Sequence, residues 1–431
     1  MRITRIEPHE SAPHTAVIAR CWDELRVDLR NASRMMWRSP GFTAIAALSL
    51  ALGIGANTAI FSLVYNLMLR ALPVQNPAQL VELLHRYPGE PHFNGFSWQA
   101  YRLFRSDNNV FSGLTAFAYE TIHVRGEGLA SQAVQGGFVD ESFFPLLGIK
   151  PSFGRLIGPN DDYADNSAVV VVSWPFWKSR FNLDPAILGK QILVENVPVV
   201  IIGIAPHEFH GLQIESSQDI WLPMAMEASL HHPSYRNSAR GWLSLVARLK
   251  QGVSRQEAQA EMAVLYDSTL EEQAKATNNP FLRRMKLEVE PAGAGLSALR
   301  EEWAKPLTLL LALVALLLLI ACTNLATLLL ARGASREHEL ALRLSLGAGR
   351  FRLAKQVLTE SLLLAGIGGL LGVLLANFGS GILVRIIVAE RRPGPPLEFH
   401  VQTDWHVLAF TAVTALLTGF LFGVIPALRA M

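Results

Sequence analysis

FTAIAALSLALGIGANTAIFSLVYNLML, residues 42–69, is an apolar run that contains no Asp, Glu, Lys or Arg. At 1.5 Å per residue it would form a helix of about 40 Å, longer than the roughly 30 Å hydrocarbon core of a bilayer. Three more such runs lie in the last third of the chain, at about Leu307–Ala331, Val357–Val388 and His406–Leu428. Each exceeds the roughly 20 residues that a spanning helix needs. Between the first and second runs lies a polar segment of more than two hundred residues, about the size of one domain. The expected fold class is a membrane protein: four transmembrane α-helices, with a mixed α/β periplasmic domain inserted between helices 1 and 2.

Composition agrees. Half the residues are apolar and 17% are charged, against about 25% in soluble proteins. The net charge of +2 does not suggest a nucleic-acid partner, and none is expected. Cys21 lies in the basic front segment and Cys322 inside the second apolar run, so no disulfide framework is expected.

Orientation follows from the Lys and Arg beside short loops. Arg2, Arg5, Arg20, Arg26, Arg30, Arg34 and Arg38 precede helix 1, and Arg332, Arg336, Arg343, Arg350, Arg352 and Lys355 join helices 2 and 3. The loop after helix 3 holds only Arg391 and Arg392, and Arg429 follows helix 4. With four spans the basic segments share one side, expected to be the cytoplasm together with both termini. The inserted domain and residues 389–405 then face outward. A cleaved signal peptide fits poorly, because its apolar region is about 7–15 residues long and follows a short basic segment; a retained anchor helix is expected instead.

The front segment repeats Trp22, Leu25, Leu29, Ala32 and Met36 at helical spacing, with Arg26, Arg30 and Arg34 on another face. This is the pattern of a helix lying in the headgroup plane against anionic lipid, with a partly ordered cytoplasmic tail as the alternative. Ser39-Pro40-Gly41 ends it, because the residue before proline avoids helical angles. In the inserted domain, Ala168–Ser173 reads as a short buried strand. Gln191–Val194 and Pro198–Ile204 read as a hairpin around Glu195-Asn196-Val197, and Gly241–Lys250 as a half-buried strand. Ser254 and Glu257 stand in capping-box spacing before a helix that reaches about Ala276, and Lys286–Glu290 reads as the last strand.

The search for chemistry is mostly negative. Gly189-Lys190 is followed by Gln191 and lacks the glycine run of a phosphate-binding loop. His207-Glu208-Phe209-His210 places its histidines at i and i+3, whereas a zinc helix needs i and i+4. His231-His232 has no third ligand nearby in sequence, and no serine sits in a G-x-S-x-G elbow. No catalytic, cofactor or metal residue is expected, and the chain does not read as an enzyme.

The apolar helices carry packing signals instead. Gly368 and Gly372 in helix 3, and Gly419 and Gly423 in helix 4, have small-xxx-small spacing that lets backbones approach. Asn57 and Thr58 in helix 1, with Thr323, Asn324 and Thr327 in helix 2, are polar groups at membrane depth and need partners. Interhelical hydrogen bonding is the plainer role for Asn57 and Asn324, a translocation or coupling role the sharper one. Between helices 2 and 3, Glu337, Leu340, Ala341 and Leu344 share a helical face that Gly347 ends. Such a short charged helix suits a groove on a cytoplasmic partner, and a solvated connector is the alternative.

Ser39-Pro40-Gly41-Phe42 followed by LSLALGIGANTAIFSLV (Leu48–Val64) resembles the first helix of MacB-like, FtsX-superfamily ABC transporter permeases. The resemblance extends through Phe143–Arg155 (FFPLLGIKPSFGR), Val169–Phe181 (VVVVSWPFWKSRF), Leu317–Arg332, Glu339–Leu364 and Leu416–Ala430. It looks most like the long predicted-permease branch of acidobacteria and relatives. It implies a cytoplasmic basic segment with an elbow helix (1–41), helix 1 (42–72), a MacB-like periplasmic core domain (73–300) and a stalk with helix 2 (301–331). A cytoplasmic coupling loop (332–356), helix 3 (357–388), a periplasmic loop (389–405) and helix 4 (406–431) follow, with an FtsX-like permease domain over about 301–431. The coupling helix would be about Ser335–Leu346, with Glu337, Glu339, Arg343 and Gly347 as the ATPase-coupling residues.

The resemblance further implies an inner-membrane permease subunit of the mechanotransmission type. Its partners would be a separate cytoplasmic ABC ATPase, a second permease half (a second copy or a homologue), membrane lipid and a periplasmic adaptor. Its cargo would be an antibiotic, a peptide or a lipid-like molecule. An FtsX-like regulator of a cell-wall hydrolase, or a truncated scaffold, are the other readings. MacB-like chains carry a fused ATPase and the long permeases continue into a second outer domain, so this chain is expected to be a natural short form or a truncation.

The layout is directly testable. A cysteine replacing Tyr163 should react in intact cells with a thiol reagent that cannot cross the inner membrane; reaction only after the cytoplasm is opened would overturn the orientation.

Overall fold

The computed structural model describes residues 26, 28–30, 32–88, 92, 94–126, 131–161, 168–214, 216–230, 235, 241–334, 350–389 and 405–429. In chain order the elements used below are α1 (Pro40–Val64), β1 (Leu80–Arg86), α2 (Trp98–Asp107), β2 (Phe111–Arg125), β3 (Gln132–Val139), α3 (Phe143–Leu147) and β4 (Phe153–Gly154). They continue with β5 (Val169–Val172), α4 (Trp174–Phe181), β6 (Gln191–Val194), β7 (Val197–Ile204), β8 (Ile220–Pro223), β9 (Ser244–Leu249), α5 (Arg255–Thr277) and β10 (Lys286–Pro291). The last three are α6 (Ala298–Ala334), α7 (Arg350–Ala389) and α8 (Trp405–Arg429). Two compact units result: one is built on Leu67–Ala304, the other on the helical segments before and after it.

Four helical stretches are long and apolar enough to cross a membrane: Pro40–Leu69, Trp303–Ala331, Val357–Gly379 and Trp405–Val424. They lie in α1 with the π-helical turn Tyr65–Leu69 that continues it, and in α6, α7 and α8. Pro40 stands in the first turn of α1, where its missing N–H removes no helical bond. Ser39 before it is non-helical, at φ −137° and ψ 70°, and the described residues of 32–38 are helical. The elbow therefore breaks where proline geometry requires.

The other unit is organised by one long strand. Residues 111–117 of β2 pair with β9, and residues 117–124 pair with β3. The first half of β2 belongs to a four-stranded antiparallel sheet in the order β10-β1-β9-β2. With α2 between β1 and β2, and α5 between β9 and β10, this is the split β-α-β arrangement of ferredoxin-like folds. Both helices open on serine: Ser97 Oγ accepts from Ala100 N, and Ser254 with Glu257 forms the reciprocal capping box. Each cap satisfies amides that the first turn leaves without a partner.

The second half of β2 starts a ring. β2 pairs with β3, β3 with β8, β8 with β5, β5 with β7, β7 with β6, and β6 returns to Val124 and Arg125 of β2. The β6–β7 hairpin turns on Glu195 and Asn196, whose φ of 46° and 68° suit a two-residue turn that follows the twist of its strands. Val197 is already in β7, one residue earlier than its sequence suggests. Gly203 is required because a Cβ there would lie 1.9 Å from the Arg155 carbonyl oxygen, where β4 crosses β7.

Alternation along the strands fills two cores. Leu83, Leu245 and Ala247 face α2 and α5, packing with Tyr101, Phe104, Met262 and Tyr266. Leu80, Val246 and Phe117 face the other way, with Phe143, Phe144, Phe209 and Trp221. Phe143 and Phe144 meet edge to face at 5.1 Å, a favourable aromatic geometry.

Buried polar groups are tied into this framework. The Asp140 carboxylate is fully buried, accepts from Tyr101, Thr115 and Ser142, and lies 3.7 Å from the Arg105 guanidinium. Burial pushes its carboxyl above the ordinary range, and the three hydroxyls and Arg105 oppose the shift. His85 is buried against Phe96, with Nε2 3.2 Å from the Gly95 carbonyl and Nδ1 bonded to the Tyr266 hydroxyl. An Nε2–H that donates to Gly95 leaves Nδ1 as an acceptor, so the ring is neutral in this arrangement.

Burial lowers the His85 pKa from 6.5 to about 4, against the smaller opposing effect of the Gly95 carbonyl. The unfolded chain therefore binds the proton first on acidification. The stability associated with neutral His85 is complete above pH 6.5 and is lost as pH falls toward 4, by about 3 kcal/mol. Thermal melts of the full chain at pH 7.5 and pH 5 should show a larger acid-induced loss for wild type than for His85→Leu; equal losses would refute the assignment.

Candidate functional site in the membrane helices

The helical unit is held by small residues that face each other. Gly372 of α7 meets Gly55 of α1: a Cβ added to Gly55 would lie 2.9 Å from the Gly372 carbonyl oxygen and 3.2 Å from its Cα. One turn earlier in α7, a Cβ on Gly368 would lie 2.6 Å from Leu50 Cβ. The two backbones touch here. Earlier along α7, a Cβ on Gly419 of α8 would lie 3.0 Å from Ala365 Cβ, and one on Gly423 would lie 2.8 Å from Ser361 Cβ. The structure thus brings Gly368 and Gly372 to α1, and Gly419 and Gly423 to α7. In lipid no water drives apolar surfaces together, so close packing of this kind supplies much of the association.

The facing residues escape notice in sequence. Gly55 stands four residues after Ala51, and Ala365 four after Ser361, so each glycine pair meets another small-xxx-small pair. The spacing was there to be found, but alanine and serine are too common in membrane helices to stand out.

Polar contacts add a second tie. Thr58 Oγ1 and Thr411 Oγ1 are 3.0 Å apart, and the Tyr65 hydroxyl lies 2.7 Å from His406 Nδ1, both joining α1 to α8. Between them Phe61 stacks on Phe410. Asn57 is buried, and its Nδ2 donates to Gly53 O at 2.9 Å and to Val314 O of α6 at 3.1 Å. α6 also packs through Leu318, Cys322, Leu325 and Ala326 onto Ala46, Leu50 and Ile54. Asn324 takes no part in this packing: it lies on the exposed side of α6 with Thr323 and Thr327.

Glu337, Glu339, Arg343 and Gly347 lie outside the described residues, as do His231-His232 and residues 390–404. Among the described residues no group of three or more His, Cys, Asp or Glu side chains could hold a metal. His207–His210 forms a turn in which Phe209 N donates to Pro206 O, and Phe209 is a core residue. The helical unit is a packed assembly joined by close backbone contact and interhelical hydrogen bonds.

Residues 43–265 match the family described as MacB-like periplasmic core domain, and residues 311–431 match the FtsX-like permease C-terminal family. The macrolide export ATP-binding/permease protein MacB of Burkholderia cenocepacia is 26% identical over 296 residues, which is 68% of this chain and 39% of that protein. The protein of that name from Salmonella paratyphi A is 26% identical over 300 residues, 69% of this chain and 42% of the relative. The chain thus spans about two fifths of the length of these curated relatives. The crystal structure of the periplasmic region of MacB from Actinobacillus actinomycetemcomitans covers 50% of this chain and 90% of its own, with 14% identity and a TM-score of 0.37. The extracellular domain of the noncanonic ABC-type transporter YknZ from Gram-positive bacteria covers 49% and 98%, with 13% identity and a TM-score of 0.36.

The helix contact makes its own prediction. Gly372→Leu should destabilise the full chain in detergent by about 2 kcal/mol, because a side chain must be forced between two backbones. Gly366→Leu, where nothing lies within 4 Å, should melt like wild type. Similar melting of both variants would contradict the contact.

Proposed function

Since this chain belongs to the MacB-like periplasmic core domain family, we propose that it is the permease subunit of an ABC transporter of the mechanotransmission type. ATP hydrolysis by a separate cytoplasmic ATPase moves the periplasmic domain, and that motion exports or extracts an antibiotic, a peptide or a lipid-like substrate from the outer face. The observation that carries the reading is the order of parts: a MacB-like match over 43–265, then an FtsX-like match over 311–431, on a chain with four helices of spanning length.

The physical arrangement supports this use. Helices locked by backbone contact and fixed hydrogen bonds move as a body instead of bending past one another. No nucleotide site is required of the chain, since the ATPase acts in trans. The subunit sits in the bacterial inner membrane with both termini in the cytoplasm, and two permease halves face an ATPase dimer. The relatives are named for macrolide export, which falls within the proposed substrate range. The loop around Glu337, Glu339, Arg343 and Gly347 carries the contact with the ATPase, lipid surrounds the helices, and a periplasmic adaptor receives the cargo.

The experiment is reconstitution with an ABC ATPase subunit. Wild type should co-purify with that ATPase and stimulate its hydrolysis. Replacing Glu339 and Arg343 together by alanine should reduce both by about tenfold or more, the loss expected when two charged contacts of ~1 kcal/mol each are removed. A chain that never pairs with an ATPase would overturn the reading, and unaltered pairing of the double variant would remove the loop from it.

A further inference from the structure

An open strand edge is a template for another strand, and the extramembrane unit closes several of its own. The ring from β2 through β3, β8, β5, β7 and β6 returns to β2. The free side of the first half of β2 is covered, since Asp140 N donates to Ala116 O at 3.1 Å and Ser142 Oγ to Leu114 O at 3.2 Å. β10 is placed differently. It is the outermost strand of the sheet, paired with β1 from Lys286 to Pro291, and among the described residues no strand lies beyond it.

Alternation decides which backbone groups of β10 face outward. Ala292 N donates to Leu80 O at 2.9 Å, so the even-numbered residues turn their backbone groups toward β1, and Leu287 and Val289 turn theirs away. Gln259 of α5 reaches over this edge. Its Nε2 donates to Leu287 O at 2.5 Å, and its Oε1 accepts from Val289 N at 2.6 Å. One turn earlier on α5, Arg255 Nη1 donates to Glu290 at 2.7 Å and fixes the same helix face over the strand. A carboxamide has the donor and acceptor of a peptide group, so Gln259 gives β10 the pair of bonds that a neighbouring strand would give.

The two backbone atoms it holds are the ones that self-pairing needs. A second β10 laid antiparallel about a two-fold axis at Glu288 would set Leu287 of each copy opposite Val289 of the other, with Val289 N donating to Leu287 O. Charge does not forbid that register. Lys286 would stand opposite the other copy's Glu290, and Glu288, which would face itself, lies 3.3 Å from the Arg86 guanidinium. We propose that Gln259 is a built-in strand plug, which keeps the β10 edge from pairing with β10 of a second copy by occupying Leu287 O and Val289 N. The plug goes beyond the permease reading and does not depend on it.

The test uses the full chain in native membranes, with Cys21→Ser and Cys322→Ala removing the natural thiols. Glu288→Cys then reports edge pairing, because facing side chains at the two-fold axis would have Cβ atoms about 5 Å apart, close enough for a disulfide. With Gln259 intact, mild oxidation should give little linked dimer. Adding Gln259→Ala should raise the yield about tenfold. Gln259→Met, which keeps the length and helix preference of glutamine but makes neither bond, should do the same. Gln256→Ala, at an exposed position of α5, should leave the yield low. Val264→Cys in place of Glu288→Cys, at a site 71% exposed on α5, should not link in either background, which separates edge pairing from general aggregation. Equal yields with and without Gln259, an equal rise after Gln256→Ala, or a rise at residue 264 matching that at 288 would each overturn the plug.

Discussion

Two glycines, Gly55 and Gly372, let α1 and α7 meet backbone to backbone, and the packing of the helical unit follows from that contact. Bringing two helices this close places dispersion contacts where a larger residue would hold them apart, and in lipid no hydrophobic force compensates for a looser fit. One to two turns earlier along the same small-residue stripe of α7, Ser361 and Ala365 receive Gly423 and Gly419 of α8. The hydroxyls of Thr58 and Thr411 then come within hydrogen-bond distance, and Asn57 reaches the Val314 carbonyl on α6. Each polar tie is short-range and joins α1 to a helix other than α7.

The extramembrane unit solves a different problem with a different device. It has no disulfide among its residues, so its stability comes from two aromatic-rich cores on either side of one sheet. The strand β2 belongs to both the ferredoxin-like half and the closed ring, which joins the two without a flexible linker. Buried polar groups pin the design: Asp140 ties α2 to the ends of β2 and β3, and His85 ties β1 to α5. The two halves of the unit are joined through shared backbone bonds along one strand.

Much of this was legible in the sequence, and the reasons differ by element. The spanning helices announce themselves because lipid demands about 20 apolar residues in a row. The capping box at Ser254 and Glu257 and the Glu195-Asn196 turn are local, so their chemistry can be read in four residues. The sheet order was not legible, since β1 pairs with β10 across some two hundred residues and no local signal encodes that choice. The ring closure through Val124 and Arg125 was hidden for the same reason. In the helical unit the glycines were visible but not their mates, and the outward placement of Asn324 could not be told from the inward placement of Asn57. Both are asparagines in apolar helices, and only packing distinguishes a satisfied amide from an unsatisfied one.

The central claim is the backbone contact itself, and it can be measured without disturbing it. Magic-angle-spinning NMR on the full chain in lipid, carbon-13 labelled at glycine, should show a through-space correlation between the α-carbons of Gly55 and Gly372. The structure puts them within about 5 Å, since a Cβ on Gly372 would lie 3.4 Å from Gly55 Cα and one further bond of about 1.5 Å separates it from its own Cα. A cross-peak between these two residues is the predicted result. Its absence, at mixing times that reveal the Gly53–Gly55 pair within α1, would contradict the account.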